Sequence, residues 1–509
     1  MYVTLHNTGQ FELPLAYFHL NGDLFNLPAG PVSFAAGLEY RGERWRNDPD
    51  SENASFDTIG GRNFQASKVN RDVWGTFQEV RIPVTSPAWN FPGAYSLELD
   101  IAEREEWYSQ NTSATTAPSV LPEEHSQFDG QKPKFSIRWQ PLDPKWIGTL
   151  TLRGSYSEAF LAPTLPDLTP AGTEFFFPPG FFHDPKGLTP PGAGTRLLLS
   201  GNPLLNPAVA YEWSYGAVYS AKWIRGLTLS ADFWHIDLRS LADVPGGDFI
   251  IDHEKLFPQD VIRDPTTGAI TTVILPTLNL TRTVVEGLDY EAIYILDLAS
   301  FGRGDFGRFT FTLNGTYLSR FELQISPDTH RFGLSGSYVS PPTLNGSLPH
   351  TRAFASAFWG GPADTWLTGF DVGATVHYTG QYQDDNLDLG PVLARKIREL
   401  TTLDLIASYT FNLRASVAQQ EVAGFAKDVG KNVQMSDGKE KNVVPISTAE
   451  YSACGWRAWL NGTTITLGMQ NVFDSDPPFA GGFAFGYGYD ASLADVKGRF
   501  CYLQLKKRF

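Results

Sequence analysis

The last stretch of the chain has the period of a β-strand: Gly498-Arg499-Phe500-Cys501-Tyr502-Leu503-Gln504-Leu505-Lys506-Lys507-Arg508-Phe509. Steps of two back from Phe509 give one largely apolar phase, and the other phase is polar and then aromatic. Such a pattern indicates a strand with one apolar face. A final strand of this kind is typical of outer-membrane β-barrels, where each edge must be paired because an unpaired amide in lipid costs several kcal/mol.

The same alternation recurs along the whole chain. Phe135, Ile137 and Trp139 alternate with polar residues, and so does the run that begins at Phe309 and Phe311. We count about fifteen such strands, with Pro or Gly at nearly every reversal. The sequence therefore predicts an all-β fold, a transmembrane antiparallel β-barrel. A soluble propeller is the alternative for so many strands, but it predicts regular loops, and these are irregular.

Connection lengths give the barrel two different sides. Long loops are predicted near residues 109–130, 158–207, 240–281, 321–348 and 381–397, and they alternate with short turns around Pro141, Arg225, Gly304 and Pro362. Outer-membrane barrels have short periplasmic turns and long external loops. One connection, 412–460, is long and charged although it falls on the short side.

Composition excludes several classes of function. The 509 residues include 55 acidic and 40 basic side chains, a net charge of −15, which argues against a nucleic-acid partner. No apolar run reaches about 18 residues, so no transmembrane helix is expected. Two cysteines cannot build a disulfide framework or a zinc site. The histidines lack ligand spacing and no nucleophile motif occurs, so we expect no enzyme activity, no catalytic residue, no bound metal and no cofactor.

Four segments resemble those of TonB-dependent outer-membrane receptors. They are Leu152–Thr164, similar to the family's SYSEAFRAPT with Leu161 in place of Arg; 201–207, similar to GNPxLKPE with departures at Asn206 and Ala208; 285–291, similar to xxGxE with Asp289 in the acidic position; and 467–474, similar to GxxNLFD. Their order along the chain matches the family as well.

The resemblance implies a barrel of about 22 strands around a plug domain, in the outer membrane of a bacterium. It further implies four kinds of partner: outer-membrane lipid, the TonB complex, the barrel-assembly machinery, and a small-molecule or glycan ligand. Phe509 would be the signal that the assembly machinery reads.

Strand parity bears on the extent of the domain. The last strand must run inward, and so must the first visible strand, which ends near Phe25. A closed antiparallel barrel needs an even number of strands, and about fifteen is odd. The first residues also lack the pattern of a signal peptide. We therefore expect residues 1–509 to be one barrel domain that is incomplete at its amino terminus, with the plug and the first strands missing.

An aromatic loop is the best candidate for ligand contact. It contains Phe175, Phe176, Phe177, Phe181 and Phe182. Exposed clustered aromatic residues mark a binding surface or pack against a neighbouring loop, and the sequence leaves both open. The predicted function is import of a scarce nutrient with energy supplied through TonB, the substrate being a ferric siderophore, cobalamin or an oligosaccharide. The alternative is a passive porin or a structural barrel.

Overall fold

A computed structural model provides the fold. It describes residues 4–55, 63–116, 119–120, 124–169, 172–302, 304–326, 330–339, 346–363, 365–384, 395–411, 459–480 and 488–508. Phe509 and nearly all of the 412–460 connection therefore lie outside the described residues.

Strands and short helices are numbered in chain order. The strands of the first half are β1 (Asn7–Glu12), β2 (Leu15–Leu27), β3 (Gly30–Pro49), β4 (Asn63–Phe64), β5 (Ser67–Thr85), β6 (Ser96–Thr116), β7 (Ser119–Val120), β8 (Glu124–Gln140), β9 (Gly148–Leu161), β10 (Gly172–Phe177), β11 (Thr195–Ser200), β12 (Ala208–Ala221) and β13 (Leu227–Asp243). Those of the second half are β14 (Val261–Arg263), β15 (Ile270–Pro276), β16 (Leu278–Asp297), β17 (Arg308–Gln324), β18 (Phe332–Gly333), β19 (Tyr338–Val339), β20 (Gly346–Ser347), β21 (Thr351–Gly360), β22 (Phe370–Thr379), β23 (Tyr382–Asp384), β24 (Arg395–Ile397), β25 (Leu400–Thr410), β26 (Thr463–Gln470) and β27 (Phe500–Lys507). The α-helices are α1 (Ser51–Ala54), α2 (Pro144–Ile147) and α3 (Gly247–Asp252), and 3₁₀ turns lie at Pro87–Trp89, Pro166–Leu168 and Leu298–Phe301.

One large antiparallel sheet forms the wall. It contains 18 strands, and without the short additions β1, β7 and β18 a meander of fifteen remains. Their order is β2, β3, β5, β6, β8, β9, β12, β13, β16, β17, β21, β22, β25, β26, β27, each paired with the next. The count of about fifteen strands and the all-β antiparallel fold are confirmed.

The final strand shows why its residues alternate. Leu503 and Leu505 lie opposite Leu467 and Ile465 of β26. All four side chains are exposed, Leu503 to 69%. Cys501 is exposed in the same phase. An exposed apolar stripe across paired strands is what the lipid-facing side of a barrel wall requires, as the sequence pattern predicted.

The two margins of the wall run in the same direction. Because neighbouring strands alternate in direction, the first and fifteenth members of the meander, β2 and β27, are parallel to each other. Among the described residues no pairing joins β27 to β1 or β2. A direct antiparallel closure between these two strands is therefore impossible.

Short turns and long connections alternate as predicted, with one difference. The turn between β2 and β3 has two residues, whereas the loop between β9 and β12 spans 162–207 and that between β13 and β16 spans 244–277. The loop expected near 109–130 is wrong in extent, because Ser109 to Thr112 pair with Glu124 to Gln127 as continuous strands. These strand ends are polar on both faces, so the sequence offers no alternation there.

The described helices are short, and none is long and apolar enough to cross a membrane.

Candidate functional site

Three long connections contribute strands that fold together on one side of the wall. They are the connections between β3 and β5, between β9 and β12, and between β13 and β16. Their strands form a separate five-stranded sheet in the order β14, β15, β11, β10, β4. This sheet and helix α3 are called the loop body here. In its centre Leu197 of β11 lies beside Val273 of β15, a strand from a different loop that runs parallel to β11. Ile250 and Ile251 of α3 cover this face and are fully buried, so the loop body has its own apolar core.

The five predicted ligand-contact residues divide between core and surface. Phe175, Phe177 and Phe182 pack against the apolar core of the loop body. Phe176 and Phe181 are exposed to 64% and 55%. For Phe175, Phe176 and Phe177 the division follows from strand geometry, because successive residues of β10 point to opposite faces of the sheet. Ligand contact by these residues stays a prediction, and the exposed pair is the part of the group that a ligand can reach.

A cavity of about 360 Å³ opens beside the exposed Phe181. Phe182, His183, Thr189 and Asp248 also line it. The backbone N–H of His183 donates to Asp248 Oδ1 at 3.0 Å, which joins the loop to α3. The lining of the cavity combines two aromatic side chains with several polar groups.

An ion-pair cluster connects loop 162–207 with loop 244–277. Arg263 donates to Asp184 and also, through Nε and Nη2, to both carboxylate oxygens of Glu254, at 3.0 and 2.9 Å. Asp184 accepts in addition from the hydroxyl of Thr189 at 2.7 Å and from the backbone of Lys186. The hydrogen bond from Arg263 holds the pKa of Asp184 well below its usual range, against the opposing effect of burial.

The motif segment 201–207 meets the residues that directly follow the first motif segment at the base of loop 162–207. The backbone N–H of Asn202 donates to the carbonyl of Asp167 at 2.7 Å. A Cβ at Gly201 would lie 2.3 Å from the carbonyl oxygen of Thr169, so only glycine fits this crossing. Ser200 also accepts from the N–H of Thr277 at 2.8 Å. The base of this loop is therefore fixed both to itself and to loop 244–277.

The inner face of the wall carries a cleft of about 730 Å³ that the sequence did not predict. Arg41 donates to Glu39 and Glu43 at 2.9 and 2.7 Å. Arg104 pairs with Glu106, which also accepts from the buried hydroxyl of Tyr108. In the sequence, each strand shows only that charged residues alternate with others. The register between neighbouring strands decides which charged side chains from different strands lie side by side. The basic and acidic side chains that line the cleft are equal in number, and several of them already form ion pairs with one another.

A second group of loops meets at a buried carboxylate. Asp490 is 2% exposed and accepts from the hydroxyls of Tyr382 and Ser347, which come from two other connections. The hydroxyl of Ser492 also donates to it, at 2.6 Å. Burial, together with the nearby Asp490 carboxylate, raises the pKa of Tyr382. Three further loops are thereby held to one another.

The described histidines and acids do not gather into a metal site. Within the described ranges no three His, Cys, Asp or Glu side chains come together in a way that could hold an ion. His377 lies in the polar phase of β22, with Nε2 3.3 Å from Asp404 Oδ2.

Comparisons with known proteins bear on the whole chain. A family model described as "TonB dependent receptor-like, beta-barrel" matches residues 2–419. A comparison with curated proteins gave no match.

Among solved structures, the chain is similar to a mutant of the ferric enterobactin receptor PfeA from Pseudomonas aeruginosa in complex with enterobactin. The identity is 14%, the TM-score is 0.50, and the match covers 98% of this chain and 62% of that one. It is also similar to the FpvAI–pyocin S2 complex, with 13% identity, a TM-score of 0.50, and coverage of 92% and 44%. The siderophore receptor PirA from Acinetobacter baumannii matches with 13% identity, a TM-score of 0.45, and coverage of 99% and 63%. The chain thus spans less than two thirds of the length of these structures. At such identities the likeness to the first two shows the fold alone.

Proposed function

This chain belongs to the TonB-dependent receptor-like β-barrel family, and on that premise we propose that it captures a scarce nutrient outside the cell and takes part in its energised import. The observation that carries the proposal is the family match over residues 2–419. Members of the family are proteins of the Gram-negative outer membrane, and this chain has the exposed apolar stripe that such a location requires. A transport role, rather than catalysis, is what we propose.

The folded loops support a capture role. Long external connections that share an apolar core and an ion-pair cluster make a preformed surface, which lowers the entropy cost of binding a ligand. The exposed Phe176 and Phe181, with the adjacent cavity, are the proposed ligand contacts. As predicted from the sequence, we propose that the substrate is a ferric siderophore, cobalamin or an oligosaccharide.

We propose further that residues 1–509 form one barrel domain whose wall is completed by additional strands between β27 and β2. The parallel direction of these two strands supports this, since an odd number of intervening strands is needed for antiparallel closure. The TonB complex would act through a part of the receptor outside this chain. The proposed lipid contacts are the exposed apolar side chains of the wall, and the assembly machinery would read β27 and Phe509.

The test uses the full-length receptor in cells with and without TonB. The probes are ⁵⁵Fe-loaded enterobactin, ⁵⁷Co-labelled cobalamin and ¹⁴C-labelled maltohexaose. We expect one probe to accumulate only when TonB is present. Equal accumulation of the small sugar in both strains, scaling linearly with its concentration, would instead establish a passive porin.

A further inference from the structure

We propose that Arg71 is a positioning residue for the long loops. It fixes both ends of loop 162–207 and thereby the placement of the loop body. The meaning of this role for ligand capture rests on the proposed function, but the geometry does not. Arg71 lies on β5 and its side chain is 3% exposed, although it is charged.

The first end of the loop is held directly. Arg71 Nη2 donates to the carbonyl of Pro163 at 2.8 Å, two residues after β9 ends. The same guanidinium donates through Nη1 to Glu43 Oε2 of β3 at 3.0 Å. Its charge is therefore compensated within the wall, while one N–H is committed to the loop.

The second end is held through two further side chains. Arg71 Nε donates to Gln110 Oε1 at 2.9 Å, and Gln110 is fully buried. Gln110 Nε2 then donates to Ser126 Oγ at 2.8 Å, and Ser126 Oγ donates to the carbonyl of Pro203 at 3.4 Å. One guanidinium is thus connected to Pro163 in the first motif segment and, through Gln110 and Ser126, to Pro203 in the second, although these two residues are forty positions apart in the chain.

Apolar side chains pack next to this hydrogen-bond network. Val69, two residues before Arg71, is fully buried against Leu165 and Leu168 from the first end of the loop and Leu205 from the second. These contacts exclude water from the polar network. A buried network gains strength in such surroundings, and loss of one member leaves its partners unsatisfied.

The planar guanidinium of arginine, with its several N–H donors, suits this position. Arg71 addresses three acceptors on three different segments, and Tyr108 lies under it, with Cζ 5.7 Å from the ring centroid. Lysine would keep the charge but lacks the fork geometry that reaches all three acceptors at once. Arg153 provides a contrast, because it donates to both oxygens of Asp232 within the wall at 2.6 and 2.5 Å.

The experiment uses the full-length receptor with Cys454→Ser and Cys501→Ser, and a nitroxide attached at Leu161→Cys or at Leu204→Cys, one near each loop end. Spectra are compared for the parent, Arg71→Met, Arg71→Lys and Gln110→Leu, with Arg153→Met as the matched control. Heat-modifiable gel mobility reports whether the barrel itself has folded.

We expect Arg71→Met to increase the mobility of the label at both positions. The label in Arg71→Lys should not return to the low mobility of the parent. Gln110→Leu should mobilise the label at position 204 more than the label at 161, because it cuts only the path to Pro203. Arg153→Met should change neither. Unchanged spectra in both Arg71 variants, or equal mobilisation by Arg153→Met, would overturn the proposal. If Arg71→Met does not fold, the Arg71→Lys and Gln110→Leu spectra decide. Because no ligand is used, failure of the import assay would count against the proposed function and leave this result standing.

Discussion

Asp184 and Arg263 face each other across two loops and are joined by two parallel hydrogen bonds, Nη1 to Oδ2 at 3.1 Å and Nη2 to Oδ1 at 3.0 Å. Both side chains are largely buried, exposed to 5% and 13%. Because Asp184 belongs to loop 162–207 and Arg263 to loop 244–277, this pair makes the two connections behave as one unit. Loss of Asp184 would leave Arg263 paired with Glu254, so its cost is that of losing buried hydrogen bonds to a charged group, which still exceeds the cost of losing a surface pair.

The first prediction concerns this pair and pH. A carboxyl whose pKa is lowered by folding stabilises the folded state above its unfolded pKa, about 3.9 for Asp, and loses that contribution as pH falls through the folded pKa. The pKa of Asp184 is lowered chiefly by the hydrogen bond from Arg263. The contribution of Asp184 to the proteinase K resistance of the loop body, measured as the difference between the parent and Asp184→Asn after brief exposure to each pH, should therefore stay constant from about pH 7 to 5 and decline only below about pH 4.

Substitution tests the same pair. Asp184→Asn should destabilise the loop body by about 1.5–3 kcal/mol at neutral pH, because Arg263 loses its hydrogen bonds to the Asp184 carboxylate but keeps those to Glu254. The matched control is Lys186→Ala, which removes the more exposed pair of Lys186 with Glu254 and should cost at most about 1 kcal/mol. An equal effect of the two substitutions would contradict the assignment.

The second prediction concerns the core of the loop body. Ile250 is fully buried, so Ile250→Ala should cost about 2–5 kcal/mol by loss of contacts and creation of a cavity. The measurement is proteolysis of the external loops beside heat-modifiable gel mobility of the barrel. We expect faster loop cleavage with unchanged barrel mobility. Ile262→Ala, at an exposed site on β14, is the control and should behave like the parent.

The third prediction separates neighbouring phenylalanines. Phe175→Ala removes a partly buried ring that packs on the core and should destabilise the loop body by about 1.5–3 kcal/mol. Phe176→Ala and Phe181→Ala should leave loop proteolysis unchanged and weaken binding of the transported probe. Unchanged probe binding in the Phe176→Ala, Phe181→Ala double variant would remove these residues as ligand contacts.

The fourth prediction concerns the lipid face of the last strand. Leu503→Arg places a charge on the exposed apolar stripe and should cost about 2–4 kcal/mol near the middle of the bilayer. Gln504→Arg, one residue away in the polar phase, should be nearly neutral. The measurement is the fraction of heat-modifiable protein in lipid vesicles across a urea series. A larger loss for Gln504→Arg would reverse the assignment of the two faces.

The fifth prediction concerns the second loop group. Tyr382→Phe removes a buried hydrogen bond to the Asp490 carboxylate, with a distance of 2.9 Å between the oxygens, and should cost about 1.5–3 kcal/mol. Proteolysis of the loops around 380–399 and 471–499 should accelerate together, since both are tied to this carboxylate. Tyr378→Phe, in the exposed phase of β22, serves as the control. Acceleration in only one loop would show that Asp490 does not join them.

Local alternation was enough to predict the wall. Leu503 and Leu505 face outward as their spacing requires, and the strand count follows from the same rule, because side-chain direction in a strand depends only on residue parity. Prediction failed for the connection near 109–130, where both faces of the strands are polar and parity has no apolar signal. For the aromatic loop, composition drew attention to all five phenylalanines but could not say that Phe175 is packed and Phe176 exposed.

Patterns within single segments were sufficient to predict the class of the fold, the direction of its strands and the family resemblance. Which distant segments meet is specified by long-range packing and is visible only in the folded chain. The register of β3, β5 and β6 places Glu43, Arg71 and Gln110 side by side, and the crossing of two loops joins Asp184 to Arg263. Such contacts join residues tens of positions apart in the chain, and no local period encodes them.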